Sequence, residues 1–189
     1  MKKRLAILLS GRGSNFEAIA RNCAAGRLDA EIAVVISNKP DAAGLEGARQ
    51  LGLTAVAIPS QGLSREEHDH KLVEALKQFH PDLICLAGYM RLLTPYLVDT
   101  FAGRILNIHP SLLPAFPGLD APQQALDYGV TVSGCTVHFV IAQMDAGPII
   151  QQASVPVLPG DTAETLSRRI LEQEHRIYSE AIQKVLHEK

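Results

Sequence analysis

The sequence predicts an α/β fold: an open, mostly parallel, doubly wound sheet with an antiparallel pair at one edge and a long C-terminal helix. Three observations carry that expectation. Short, continuously apolar runs alternate with amphipathic helical patterns from Leu5 to Tyr128, the signature of strand–helix units joined by right-handed crossovers. Two β-rich segments follow, joined only by Ala142 to Pro148, which is too short for a crossover helix. A helical stripe then runs from Leu166 to Val185. With 189 residues, 47% of them hydrophobic, the chain can bury one full core, and a single domain over residues 1–189 is expected.

Bulk charge narrows the partners. A formal net charge of -2 supplies no broad positive field, so nucleic acid and membrane surfaces are disfavoured and small-molecule substrates are expected. The apolar run Leu5–Leu9, behind Lys2-Lys3-Arg4, is too brief for a signal core or a spanning helix, which points to the cytoplasm. Cys23, Cys85 and Cys135 are odd in number and lack ligand-like spacing, as expected of reduced thiols.

Leu5–Leu9 reads as a strand buried on both faces. Ser10-Gly11-Arg12-Gly13-Ser14-Asn15 then opens a helix through Phe16, Ala18, Ile19 and Ala20, ended by Gly26. Strand, glycine turn and helix form the arrangement in which helix N-terminal amides cradle a phosphate. A tight turn without a ligand is the plainer alternative. Phe16 stands where a dinucleotide fold needs its third glycine, and the strand Ile32–Ile36 ends in Ser37-Asn38 rather than an acidic ribose ligand. A single phosphate monoester suits the turn better.

Gly44–Leu51 reads as a helix stopped by Gly52, and Thr54–Ile58 as the third strand. Ser64 and Glu67 have capping-box form, opening a helix with the apolar stripe Leu72, Val73, Leu76 and Phe79 before Pro81. His68 and His70 are two apart and cannot share a helix face, so they and His80 are read as solvent-facing rather than as metal ligands. Leu83–Ala87 is a fourth strand, ending at Gly88 before Tyr89, and Pro95 suits the first turn of a short helix.

Ile105–His109 is the fifth strand. Asn107 and His109 share one face of it, roughly 7 Å apart by two strand rises. A satisfied core histidine beside a polar strand end is the bland account. Yet the glycine turn, Gly88 and His109 all follow strands, which places them at the carboxyl edge where open α/β sheets bind ligands. Pro114, Pro117 and Gly118 keep the next stretch irregular, and Ala121–Tyr128 reads as a brief helix before Gly129. Thr131–Val140 and Ile149–Val157 form the antiparallel pair, with His138 read as structural and Asp145 in the connecting loop. Asp161 with Glu164 is expected to cap the last helix, whose stripe Leu166, Ile170, Ile177, Ala181 and Val185 encloses Glu174. A carboxylate on an apolar face needs a partner, either Arg168 or Arg169 or a cationic group on a ligand.

The motifs Ser10 to Asn15, Asn107-Ile108-His109-Pro110-Ser111-Leu112-Leu113-Pro114, His138 to Val140, Asp145 to Pro148 and Gln173-Glu174-His175 together resemble the phosphoribosylglycinamide formyltransferases, nearly end to end. The resemblance implies a Rossmann-like formyltransferase fold. It also implies transfer of a formyl group from 10-formyltetrahydrofolate to the amine of 5'-phosphoribosylglycinamide in purine synthesis. By that likeness Gly13, Ser14 and Asn15 hold the acceptor phosphate, Glu174 its ribosylglycinamide end, and Pro110 lines the same site. Arg65, Met90, Arg91, Leu92, Leu93, Asn107, Ile141, Ala142, Gln143, Met144 and Asp145 contact the formyl folate. Asn107, His109 and Asp145 are the catalytic trio, and Leu113-Pro114 is expected to be cis. Leu171-Glu172 and Asp120-Ala121-Pro122-Gln123 depart from versions found in relatives, which bears on substrate contacts rather than on the chemistry.

The implied chemistry needs no covalent nucleophile and no metal. Amine attack creates a tetrahedral oxyanion, which Asn107 and a protonated His109 would stabilise while Asp145 orients the ring. A monomer or homodimer is expected. A formyltetrahydrofolate hydrolase, or a formyltransferase with another amine acceptor, is the rival within this chemistry; the hydrolase is expected to carry a regulatory segment before Leu5. A noncatalytic phosphate-binding module is the rival from another class.

Overall fold

The computed structural model describes residues 2–188. In chain order the elements are β1 (Lys3–Leu9), α1 (Ser14–Ala24), β2 (Ala30–Ser37), α2 (Ala43–Gln50), β3 (Ala55–Ala57), α3 (Arg65–Phe79) and β4 (Leu83–Leu86). They continue with α4 (Pro95–Thr100), β5 (Ile105–His109), α5 (Ala121–Tyr128), β6 (Val132–Phe139), β7 (Ile149–Pro156) and α6 (Ala163–His187). The strands hydrogen-bond in the order β3-β2-β1-β4-β5-β6-β7. β1 pairs parallel with β2 and β4, β2 parallel with β3, and β6 antiparallel with β7. The fold is the mostly parallel sheet with an antiparallel edge pair and long last helix that the sequence predicts.

By internal contacts the chain forms two compact units, Met1–Leu106 and Asn107–Lys189, and the division falls inside β5. In the first unit Leu5, Ala6, Ile7, Leu8 and Leu9 are all fully buried. A central parallel strand is covered on both faces, which is why its sequence is continuously apolar rather than alternating. Phe16 and Ile19 of α1 and Leu72, Val73 and Leu76 of α3 join that core. In the second unit α6 packs on β6, β7 and α5 through Leu166, Ile170, Ile177, Tyr178, Ala181 and Val185. Among the described residues no helix is long and apolar enough to cross a membrane.

Two local expectations need correcting. His68 is fully buried, not solvent-facing, and its Nε2 donates to the Ile58 carbonyl at 2.9 Å. It stands four residues before Leu72 on the same face of α3, so the apolar stripe carries it inward, and a satisfied ring nitrogen lets it enter the core. His70 and His80 are exposed as expected. The cap of α6 is Thr162 with Thr165, not Asp161 with Glu164. Asp161 is already engaged by Arg169 through Nη1 and Nη2 at 2.7 and 2.9 Å, and Glu164 pairs with Arg168. The capping box of α3 is the expected one, Ser64 with Glu67.

Candidate active site

In the second unit, β5 ends in Asn107 and His109, and an irregular stretch follows. Its backbone is fixed by side chains of β6 and β7 rather than by a ladder. Thr136 Oγ1 donates to the Ser111 carbonyl at 2.7 Å and accepts from the Leu113 amide at 3.0 Å. Gln152 Nε2 donates to the Leu113 carbonyl at 2.9 Å, and Leu113-Pro114 is cis, as the resemblance implies. This tether sets the positions of Phe116 and Gly118, whose backbone groups reach the site.

Four side chains meet there. Asp145 Oδ2 lies 3.5 Å from His109 Nδ1, and its Oδ1 lies 3.7 Å from His138 Nε2. The Gly118 amide donates to Asp145 Oδ2 at 2.8 Å, which keeps the carboxylate pointed at the two rings. Asn107 Nδ2 lies 3.3 Å from His138 Nε2. His138 Nδ1 faces the Phe139 carbonyl at 2.9 Å, so that nitrogen must carry the proton. The neutral ring then accepts at Nε2 from Asn107. Burial pushes the His138 pKa down from its ordinary value and favours that neutral form; the Phe139 carbonyl and the Asp145 charge pull the other way.

His109 differs. Its Nε2 donates to the Phe116 carbonyl at 2.9 Å, while Nδ1 faces the Asp145 carboxylate. Oxygen acceptors stand at both nitrogens, the placement of a ring that donates twice. The sequence reading made His109 a donor to the oxyanion. In the structure both nitrogens are directed to protein oxygens, so donation to a ligand requires the Phe116 bond to be shared or exchanged. Asn107 keeps more in hand, because its amide nitrogen carries two N–H groups and His138 accepts one.

The trio Asn107, His109 and Asp145 is thus brought together, and His138, read as structural, lies beside it. A register irregularity between Val137 and His138 accompanies that placement, which the sequence reading missed. Such a bulge re-aims the next side chain, and strict alternation along the strand cannot foresee it. The Phe116 carbonyl and Gly118 amide were also missed, since backbone groups leave no mark in residue identity. Ile141, Ala142, Gln143 and Met144 lie exposed in the loop before Asp145, and Pro110 is half-buried. Glu174 is buried on α6, and Arg168 and Arg169 are turned to Glu164 and Asp161. Burial, with the Glu174 charge nearby, pushes the Cys135 thiol up to about 12.

In the first unit, Gly13 caps α1 in the left-handed region at φ 79° with no side-chain cap bond. Only glycine takes that conformation without strain, and the first amides of a helix have no intrahelical acceptor. Asn15 is buried in that turn, and Arg65 is exposed at the start of α3. Met90 and Leu92 are 66% and 52% exposed on the loop after β4, while Arg91 and Leu93 are half-buried.

An amide donor, an imidazole and a carboxylate on one rigid patch suit acyl-group chemistry through a charged tetrahedral centre. Comparison with known proteins agrees. The formyl transferase family model matches residues 3–182. A phosphoribosylglycinamide formyltransferase of Escherichia coli (strain K12) is 46% identical over 175 residues, which is 92% of this chain and 82% of that one. The trifunctional purine biosynthetic protein adenosine-3 of Bos taurus is 48% identical over 185 residues, 97% of this chain but 18% of that protein. The crystal structure of glycinamide ribonucleotide transformylase 1 from Symbiobacterium toebii superposes with a TM-score of 0.94 at 55% identity, covering 96% of this chain and 86% of that one. The chain belongs to the formyl transferase family, among its phosphoribosylglycinamide formyltransferases.

Proposed function

We propose that the protein moves the formyl group of 10-formyltetrahydrofolate to the amine of 5'-phosphoribosylglycinamide by direct amine attack. The observation that carries this reading is the cluster of Asn107, His109 and Asp145, with the second histidine, His138, completing it. Attack forms a bond from the amine nitrogen to the formyl carbon and places negative charge on its oxygen. The second N–H of Asn107 is the donor for that charge; losing one such donor typically costs about 3–4 kcal/mol. His109 is the second donor, held by Asp145. As the bond to N10 breaks, the attacking nitrogen loses a proton and N10 gains one, through His109 or a water molecule.

The remaining assignments follow family likeness. Gly13, Ser14 and Asn15 take the acceptor phosphate at the start of α1, where helix amides suit an anion. Glu174 takes the ribosylglycinamide end and Pro110 lines that site. Arg65, Met90, Arg91, Leu92 and Leu93 take the formyl folate, as do Asn107, Ile141, Ala142, Gln143, Met144 and Asp145. In the first unit the exposed apolar side chains of Met90 and Leu92 suit contact with a flat heteroaromatic ring system. The protein is read as one formyltransferase domain, a cytoplasmic monomer or homodimer.

Incubation with 10-formyltetrahydrofolate, with and without phosphoribosylglycinamide, tests the assignment. Formyl loss that depends on the acceptor is the expected result. Loss without the acceptor identifies a hydrolase, and no loss identifies a binding protein.

A further inference from the structure

The loop between β4 and α4 exposes Met90 and Leu92, yet buried polar groups hold both of its ends. At the first end the Ser10 amide donates to the Gly88 carbonyl at 3.0 Å. Ser10 Oγ accepts from the Met90 amide at 2.8 Å and donates to Asn38 Oδ1 at 2.5 Å. Asn38 Nδ2 in turn donates to Ser60 Oγ at 3.1 Å. Three chain segments, following β1, β2 and β3, therefore fix where the loop leaves β4.

The second end hangs on a carboxylate. Asp69 of α3 is 1% exposed, and its Oδ2 accepts from the Thr94 amide at 2.6 Å and from Thr94 Oγ1 at 2.8 Å. Thr94 is also the N-cap of α4, so the same residue ends the loop and starts the helix. The other oxygen of Asp69 lies 3.6 Å from His68 Nδ1, and His68 is anchored to the Ile58 carbonyl. Burial alone would raise the Asp69 pKa, but the neighbouring His68 ring and the two hydrogen bonds from Thr94 outweigh it and hold the carboxyl below its ordinary value.

A buried charge is a poor device for stability, because apolar replacements of such groups are often neutral or better. It is a good device for fixing geometry, since each bond demands its partner at a set place. Here the bonds end on the backbone of a loop whose outward side chains are apolar and exposed.

We propose that Asp69, with Ser10 and Asn38 at the opposite end, is a positioning residue that presents the Met90–Leu92 loop to the ring system of the formyl donor. This rests on the donor assignment made above. Asp69 does not touch the ligand; it acts through Thr94. The prediction is therefore a donor-specific defect, not a general one.

The test compares the unmodified protein with Asp69→Ala and Asp69→Asn. Measured are the KM for 10-formyltetrahydrofolate, the KM for phosphoribosylglycinamide, kcat, and hydrogen exchange at the Thr94 amide. In Asp69→Ala the donor KM is expected to rise about tenfold or more, the loss typical of a hydrogen bond to a charged group. The acceptor KM and kcat should stay within about twofold, with faster exchange at Thr94 as the amide loses its charged acceptor. Asp69→Asn keeps an acceptor oxygen and should fall between, and it carries the test if the alanine variant does not fold. An unchanged donor KM, or equal rises in both KM values, overturns the proposal. If the unmodified protein transfers no formyl group, the donor assignment falls instead, and unchanged exchange at Thr94 would overturn the clamp separately.

Discussion

Asn107 and His109 depend on neighbours that residue identity does not name. Asn107 is oriented by a neutral His138, and His109 is spanned by a carbonyl and a carboxylate. Replacing either Asn107 or His109 with alanine should lower kcat about 10²–10³-fold, the range for an oxyanion donor, with acceptor binding by calorimetry changed little. His138→Phe keeps the bulk but removes the acceptor for Asn107. It should lower kcat about tenfold through the misplaced amide, in keeping with the loss of one hydrogen bond. Steady-state rates in that variant equal to those of the unmodified protein would return His138 to a purely structural role.

Elements explain why these side chains stay where they are. The loop after β5 is held by Thr136 of β6 and Gln152 of β7, so the antiparallel pair acts as the site's frame. Gly134 is the weak point of that frame. A Cβ built there would stand 2.0 Å from the Ala153 carbonyl oxygen and 2.8 Å from Leu112 Cδ2. Gly134→Ala therefore has to push β6 from β7, and it should cost at least about 2 kcal/mol of unfolding free energy in urea titrations. The pairing itself was legible, because two β-rich runs with a seven-residue connection, Ala142 to Pro148, cannot be parallel. The cap of α6 was less so. Asp161, Thr162 and Glu164 all fit capping patterns, and only the Arg169 bond to Asp161 leaves Thr162 in that role.

For the whole molecule, the shifted groups predict how stability varies with pH. His138 has its folded value below the ordinary 6.5, so below that pH the unfolded chain binds the proton first and stability falls. Asp69 has its folded value below the ordinary 3.8, and its contribution is lost as pH falls further, through the folded value. Cys135 is shifted the other way, from 9.0 up to about 12, so above 9.0 the unfolded chain sheds the proton first and stability falls again. Thermal midpoints should be highest between about pH 6.5 and 9 and fall on both sides. A midpoint that climbs steadily to pH 11 would contradict the burial of Cys135.

Sequence by itself determined the layered α/β architecture and the antiparallel edge. Those follow from local rules: buried parallel strands read as apolar runs, and helix stripes and turn glycines keep fixed spacings. Only the tertiary structure decided the burial of His68, the place of His138 beside Asn107, and the bond from His109 to the Phe116 carbonyl. Each of these depends on where a bulge or an irregular loop sends one atom. Spacing along a chain specifies faces, whereas hydrogen bonds are made or lost within a few tenths of an ångström.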